Sequence, residues 1–237
     1  MRHIGIICGI SLIAGLAYAA DEIPAHAIRV AGPYEPSMEF HIPADKAETL
    51  LLAEWEATNA RGTMSQISWG EESVAKAPAS ASKYVQKSYS FPTGMIRVLD
   101  FKQASGGMYH AISSETGLYM LKGTGSVEVA GKTVVLNEGD VVSYPRGVLR
   151  GSGDATVVLW TVRGTLINEA AAATVVHAAD APTTSSAEWD VDGKRFRTSK
   201  PEELAKAPES AIRLDLKRYE FPGNSVRVTR NYKGGPT

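Results

Sequence analysis

The chain has 237 residues, with 25 Lys and Arg against 26 Asp and Glu, a net charge of −1 and 43% hydrophobic residues. A near-neutral chain without a basic stripe is not built to hold nucleic acid by charge, and this length can form one or two packed cores. The single cysteine, Cys8, excludes a disulfide framework, so burial has to supply the stability.

Met1-Arg2-His3 is a short basic head, followed by the apolar run Ile4–Leu16. Ala17-Tyr18-Ala19 then sets small residues at −3 and −1 before Ala20. That is the layout of a cleaved secretory signal over residues 1–19, with an apolar run too short to span a bilayer comfortably. A periplasmic or secreted protein is expected, with no membrane contact after cleavage. Residues 20–62 read as an N-terminal extension. Gly32-Pro33 and Glu35-Pro36 keep Ile28–Phe40 irregular. Pro43–Ala57 then predicts the one helix of the chain, with Pro43 in the first turn and Leu51 and Trp55 four apart beside Ala47 and Leu50.

Residues 63–167 read as strands. Lys83–Ser90 and Met95–Phe101 come first, then the short runs Leu118–Lys122, Ser126–Ala130, Lys132–Leu136 and Val141–Tyr144. Turns at Gly123-Thr-Gly125, Ala130-Gly131 and Asn137-Glu-Gly139-Asp140 separate those short runs. Val127 and Val129, and Val134 and Leu136, alternate with polar neighbours, which gives each strand one buried face. Short strands at this spacing predict a small antiparallel barrel or sandwich.

The stretch Gly139, five residues, Pro145, one residue, Gly147 resembles the second sequence motif of the cupin superfamily, with Arg150 where that motif ends in His. His110 and Gly123 fit the first cupin motif, His-x-His, Glu, Gly, while Ile112 and Thr116 stand at its second His and its Glu. The resemblance covers roughly Lys83 to Arg163. It implies an all-β cupin double-stranded β-helix, a jelly-roll barrel, with His110, Ile112, Thr116, Leu118 and Met120 facing inward. Cupins that hold a transition metal use the two His, the Glu and the last His. One imidazole beside an isoleucine, a threonine and a permanently charged arginine offers no such set, so no metal is expected in this barrel.

A repeat at an offset of 130 organises the rest. Ala75-Lys-Ala-Pro-Ala-Ser-Ala81 returns as Ala205-Lys-Ala-Pro-Glu-Ser-Ala211. Lys87, Tyr89, Phe91-Pro92 and Arg97-Val98 return as Lys217, Tyr219, Phe221-Pro222 and Arg227-Val228. Repeats at domain length mean duplicated domains. Residues 168–187 read as a linker, and residues 188–237 as the opening strands of a second, incomplete cupin. The strands Arg213–Glu220 and Ser225–Asn231 are expected to add to the edge of the first barrel or to swap into another copy, giving a homodimer through strand edges, the alternative being a frayed hairpin.

Two candidates for chemistry follow. His110 and Arg150 could meet at the barrel mouth, with Tyr109, Tyr119, Tyr144 and Trp160 lining a pocket for a small anionic or polar ligand, since an arginine fork matches a carboxylate. The competing reading makes His110 a satisfied core histidine and pairs Arg150 with solvent or with Glu115 or Glu128. At the level of the whole protein, a binding or structural module stands beside a metal-dependent two-cupin enzyme of dioxygenase, isomerase or lyase type. In the second case a divalent transition metal would sit in the part of the second barrel beyond Thr237.

Overall fold

A computed structural model of the chain describes residues 3–8, 11–16, 26–31, 39–42, 44–102, 108–112, 115–129, 132–143, 145, 147–151, 153–162, 173–222 and 224–233. In chain order the strands begin with β1 (His3–Cys8), β2 (Ser11–Leu16), β3 (His26–Ala31) and β4 (Glu39–Ile42). After a 3-10 turn at Ala44–Lys46 come β5 (Glu48–Asn59), β6 (Gly62–Trp69), the short helix α1 (Glu71–Ala75), β7 (Ser82–Phe91) and β8 (Gly94–Phe101). Next are β9 (Met108–Ile112), β10 (Gly117–Lys122), β11 (Gly125–Val129), β12 (Lys132–Leu136), β13 (Val141–Ser143), β14 (Gly147–Gly151), β15 (Ala155–Val162) and β16 (Thr174–Val176). The chain closes with β17 (Thr183–Val191), β18 (Lys194–Thr198), α2 (Pro201–Leu204), β19 (Ile212–Phe221) and β20 (Asn224–Lys233). The protein is all-β and its sheets are antiparallel, as the sequence predicts. The chain divides into two units, 47–178 and 1–46 with 179–237.

In the 47–178 unit an eight-stranded sheet runs in the order β16-β13-β10-β15-β8-β7-β5-β6, and a four-stranded sheet in the order β12-β11-β14-β9. Leu52, Tyr84, Leu99, Phe101, Leu118, Met120 and Leu159 of the first sheet meet Met108, Ile112, Val127, Leu136 and Leu149 of the second in one buried cluster. Burying each such side chain contributes about 1.5–3 kcal/mol. The short runs between Leu118 and Tyr144 match β10 to β13 closely, because their glycine turns punctuate them. At Gly139, φ is 91° and its N–H bonds the Met120 carbonyl at 2.7 Å, a conformation that costs glycine little.

The helix predicted over Pro43–Ala57 is not formed. Beyond the 3-10 turn, residues 48–57 are the first ten of the twelve residues of β5, which pairs with β6 on one side and β7 on the other. A spacing of four residues, as between Leu51 and Trp55, puts side chains on one face of a strand as well as of a helix. Both faces of β5 are covered. Leu50 and Leu52 join the core between the sheets, while Leu51, Ala53 and Trp55 pack with Val74 and Ala81 around α1. A strand buried on both sides reads as an unbroken apolar run and loses its period-two signal. Ile28–Phe40, expected to be irregular, contributes β3 and the start of β4.

The second unit holds a five-stranded sheet, β1-β20-β19-β17-β18, and a three-stranded sheet, β2-β3-β4. Residues 168–187, expected as a linker, contain β16, which pairs β13, and the first half of β17. The hairpin of β19 and β20, expected to seek an edge elsewhere, finds its strand partners within its own unit. It pairs with β17, and the far edge of β20 takes β1. The reason is a longer repeat than the sequence reading found. Ala53-Glu54-Trp55 returns as Ala187-Glu188-Trp189, so β17 and β18 repeat β5 and β6 with a shorter hairpin. Ala53 pairs Lys83 and Ala187 pairs Arg213, and Tyr89 pairs Ile96 as Tyr219 pairs Val226, so the register is the same in both copies. The second hairpin turns at Asp192-Gly193, both with positive φ (50° and 73°), the geometry of a tight two-residue hairpin. β1 and β2 fall inside the expected signal segment, whose cleavage residues 17–20 lie outside the described residues.

Candidate functional site

The polar residues of the 47–178 unit gather where β9 and β14 lie over β5, β6 and β7. Glu54 on β5 faces inward beside Leu52, and its carboxyl is buried. His110 Nδ1 lies 2.8 Å from Glu54 Oε2, the Tyr84 hydroxyl donates to the same oxygen at 3.0 Å, and the Ser65 hydroxyl donates to Oε1 at 2.9 Å. The Tyr84 hydroxyl is also 3.2 Å from His110 Nδ1, and the two rings meet edge to face. With its proton on Nδ1 the imidazole donates to Glu54 and leaves Nε2 as an acceptor. Among the described residues no group hydrogen-bonds that buried nitrogen. Burial, reinforced by the Glu54 carboxylate, pushes the Tyr84 phenol far above its ordinary range. Deeper in the same interior Arg97 forms an ion pair with the buried Glu115, and burial lowers the guanidinium below its usual value.

Beside this seam a cleft of about 390 Å³ opens at the surface, lined by Trp55, Glu56, Ser82, Met108, Tyr109 and Arg150. Arg150 Nη2 bonds Glu56 Oε1 at 2.7 Å, and the guanidinium lies 5.4 Å from the centre of the Tyr109 ring. Both members of the pair are about two-fifths exposed, so it contributes about 0–1 kcal/mol to folding. The Glu56 hydrogen bond raises the Arg150 pKa further. Burial raises the Tyr109 phenol, and its bond to Ser65 works the other way. Ser65 therefore joins the cleft's Tyr109 to the buried Glu54 and His110.

Period-two alternation sorts the residues singled out in the sequence. On β9 and β14 the register sets Leu149 against His110 and Arg150 against Tyr109. His110 thus points into the core with Ile112, and Arg150 shares the other face with Tyr109. The structure brings Arg150 and Tyr109 together in the cleft and leaves His110 buried beneath. Arg150 pairs with Glu56 and not with Glu115, which Arg97 holds. Glu128 adds only a weaker attraction. Tyr119 is buried on the face of β10 opposite Leu118 and Met120, and it does not line the cleft. Trp160 is buried across Gly117, where an added Cβ would sit 1.9 Å from the indole. Tyr144 lies outside the described residues. Thr116 uses its hydroxyl to accept the Val162 N–H at 3.1 Å. His177, expected in the linker, sits with its Nδ1 2.9 Å from Asp140 Oδ2.

Ile112 lies in the apolar core, Thr116 accepts a backbone N–H and Arg150 bonds Glu56. Among the described residues no group of three His, Cys, Asp or Glu side chains is gathered as a metal-binding set. No described helix is long and apolar enough to cross a membrane. Glu54, Trp55 and Glu56 do not stand out in the sequence, because their spacing predicts a helix there. The signal for them was the recurrence of Ala-Glu-Trp at 53–55 and 187–189, which marks a structural repeat and not a loose helix. No family model, no curated protein and no solved structure matches the chain.

Proposed function

We propose that the protein is an exported, cupin-like binding module that takes a small polar or anionic ligand in the cleft at Arg150. The observation that carries this reading is the cleft itself, in which a guanidinium, an aromatic face and an indole converge around open space. Arg150 supplies a fixed positive charge with two-dimensional hydrogen-bonding geometry. Among the described residues Glu56 is its one hydrogen-bond partner, through a single nitrogen, so donors remain for a ligand. Tyr109 braces the guanidinium, and Trp55 borders the cleft. The cupin part of the proposal rests on the Gly139, Pro145, Gly147 spacing and on two antiparallel sheets enclosing one core. Export rests on the arrangement of residues 1–20. A thermal-shift screen of small organic acids and amino acids tests the function. Ligands should raise the melting temperature of the wild type by mass action and leave Arg150→Ala unmoved. Equal shifts in both proteins would remove Arg150 as the anchor.

The duplicated register of β5 to β8 and β17 to β20 favours a second reading, a two-cupin chain of metal-dependent enzyme type with its metal in the second barrel. Its test is the coding sequence after Thr237, which should then supply a His-x-His pair within a few residues.

A further inference from the structure

We infer that the ligand of this cleft is a zwitterion, an α-amino acid whose carboxylate meets Arg150 while its ammonium meets Glu56; the inference rests on the cleft reading above. The cleft does not present an isolated cation. It presents a guanidinium and a carboxylate in contact, Nη2 to Oε1 at 2.7 Å, both open to solvent on one side. A simple carboxylate that approached Arg150 would be drawn to the arginine and repelled by Glu56 at the same time. A simple amine would meet the opposite conflict. A molecule that carries both charges close together satisfies both and keeps the cleft neutral. It has no need to break the resident pair, because four charges of alternating sign can sit side by side. In an α-amino acid a single carbon separates carboxylate from ammonium, which suits a protein pair already in contact. The remaining walls suit the side chain. The Tyr109 ring is already taken up by Arg150, which leaves the edge of the Trp55 indole as the other aromatic surface bordering the cleft. An apolar side chain seated on Trp55 is therefore preferred over a charged one.

Titration calorimetry on the intact protein decides this. The common amino acids are screened first, and the tightest is then compared with its des-amino acid and its decarboxylated amine. The amino acid should bind about tenfold or more tighter than either fragment, the ratio that one added charge-assisted contact supplies. Glu56→Gln should bring the amino acid and its des-amino acid to within about twofold, while Arg150→Gln should abolish binding of both. Near-ultraviolet circular dichroism of each variant checks that its fold is kept, and both residues are half-exposed. A des-amino acid that binds the wild type as tightly as the amino acid, and that depends on Arg150, overturns the zwitterion and leaves the anion anchor standing. Absence of binding by the acids and amino acids alike overturns the cleft reading with it.

Discussion

The chain contains the same hairpin arrangement twice, and the two copies use it differently. Glu54 and Glu188 occupy equivalent places on β5 and β17, each following a buried alanine. In the second copy Glu188 faces Arg197 directly across the hairpin, with the guanidinium Nε 3.2 Å from its carboxylate and open to solvent. In the first copy the opposite position is Ile67, and Glu54 turns to Ser65, Tyr84 and His110 inside the sandwich. Leu214 stands where the first copy has Tyr84. Trp55 opens onto a cleft, whereas Trp189 stacks on Phe196 at 5.9 Å. Register is thus a property of the hydrophobic pattern that both copies share. The polar seam depends on a few substitutions, and on β9 and β14 lying over the first copy.

The largest expected effect comes from removing the shared glutamate. Glu54→Ala strips a buried carboxyl from two hydroxyls and an imidazole and should cost about 3–5 kcal/mol. Glu188→Ala should cost about 1 kcal/mol or less, because its partner is exposed. Chemical denaturation with a probe in each unit measures both. Comparable losses at the two sites would erase the distinction between the copies.

Next in size is Tyr84→Phe, which leaves Glu54 short of one donor and should cost about 1–3 kcal/mol. The same residue sets an alkaline limit. Burial raises the phenol of Tyr84 well above the ordinary value, and burial pushes Tyr89 up to about 12. A folded pKa above the unfolded value of 10.0 gives stability that is whole below that pH and lost as pH rises through the folded pKa. The melting temperature should therefore fall beyond pH about 10, with a shallower slope in Tyr84→Phe. An identical slope in the variant would place the alkaline sensitivity elsewhere.

These contrasts also explain what could be read in advance. The strands from Gly117 to Ser143 were legible because glycines and alternation mark them residue by residue. β5 was not, since burial on both faces hides its period and the Leu51 to Trp55 spacing fits a helix equally well. The site suffered from the same error. Arg150 is found from its motif position and Tyr109 as an aromatic beside His110, but their partner Glu56 and the seam's Glu54 lie on the strand whose pattern predicts a helix. Alternation further separates His110 from Arg150, a consequence of register that only the pairing of β9 with β14 reveals.

A smaller effect concerns β20. N-terminal sequencing of exported protein should find Ala20 or Asp21 as the first residue. Such a chain lacks β1, so the edge of β20 that pairs Ile4 to Cys8 is uncovered. Amide exchange should then stay slow in β19, which is paired on both sides, and quicken on the outer edge of β20. Met1 on soluble protein would end the export proposal. The smallest expected stability change is Arg150→Ala, at most about 1 kcal/mol for an exposed pair, even though ligand binding should vanish.

The comparison of the two copies also gives the most direct test of the cleft. The chain has four tryptophans, and their indole N–H resonances can be assigned by replacing each with phenylalanine. Trp55 and Trp189 hold equivalent hairpin positions, yet only Trp55 lines the cleft beside Arg150. On titration with the tightest-binding amino acid, the Trp55 indole signal should shift to saturation while that of Trp189 stays still. Movement of Trp189 equal to that of Trp55, or a Trp55 signal that ignores a ligand shown to bind, would contradict the placement of the site at Arg150.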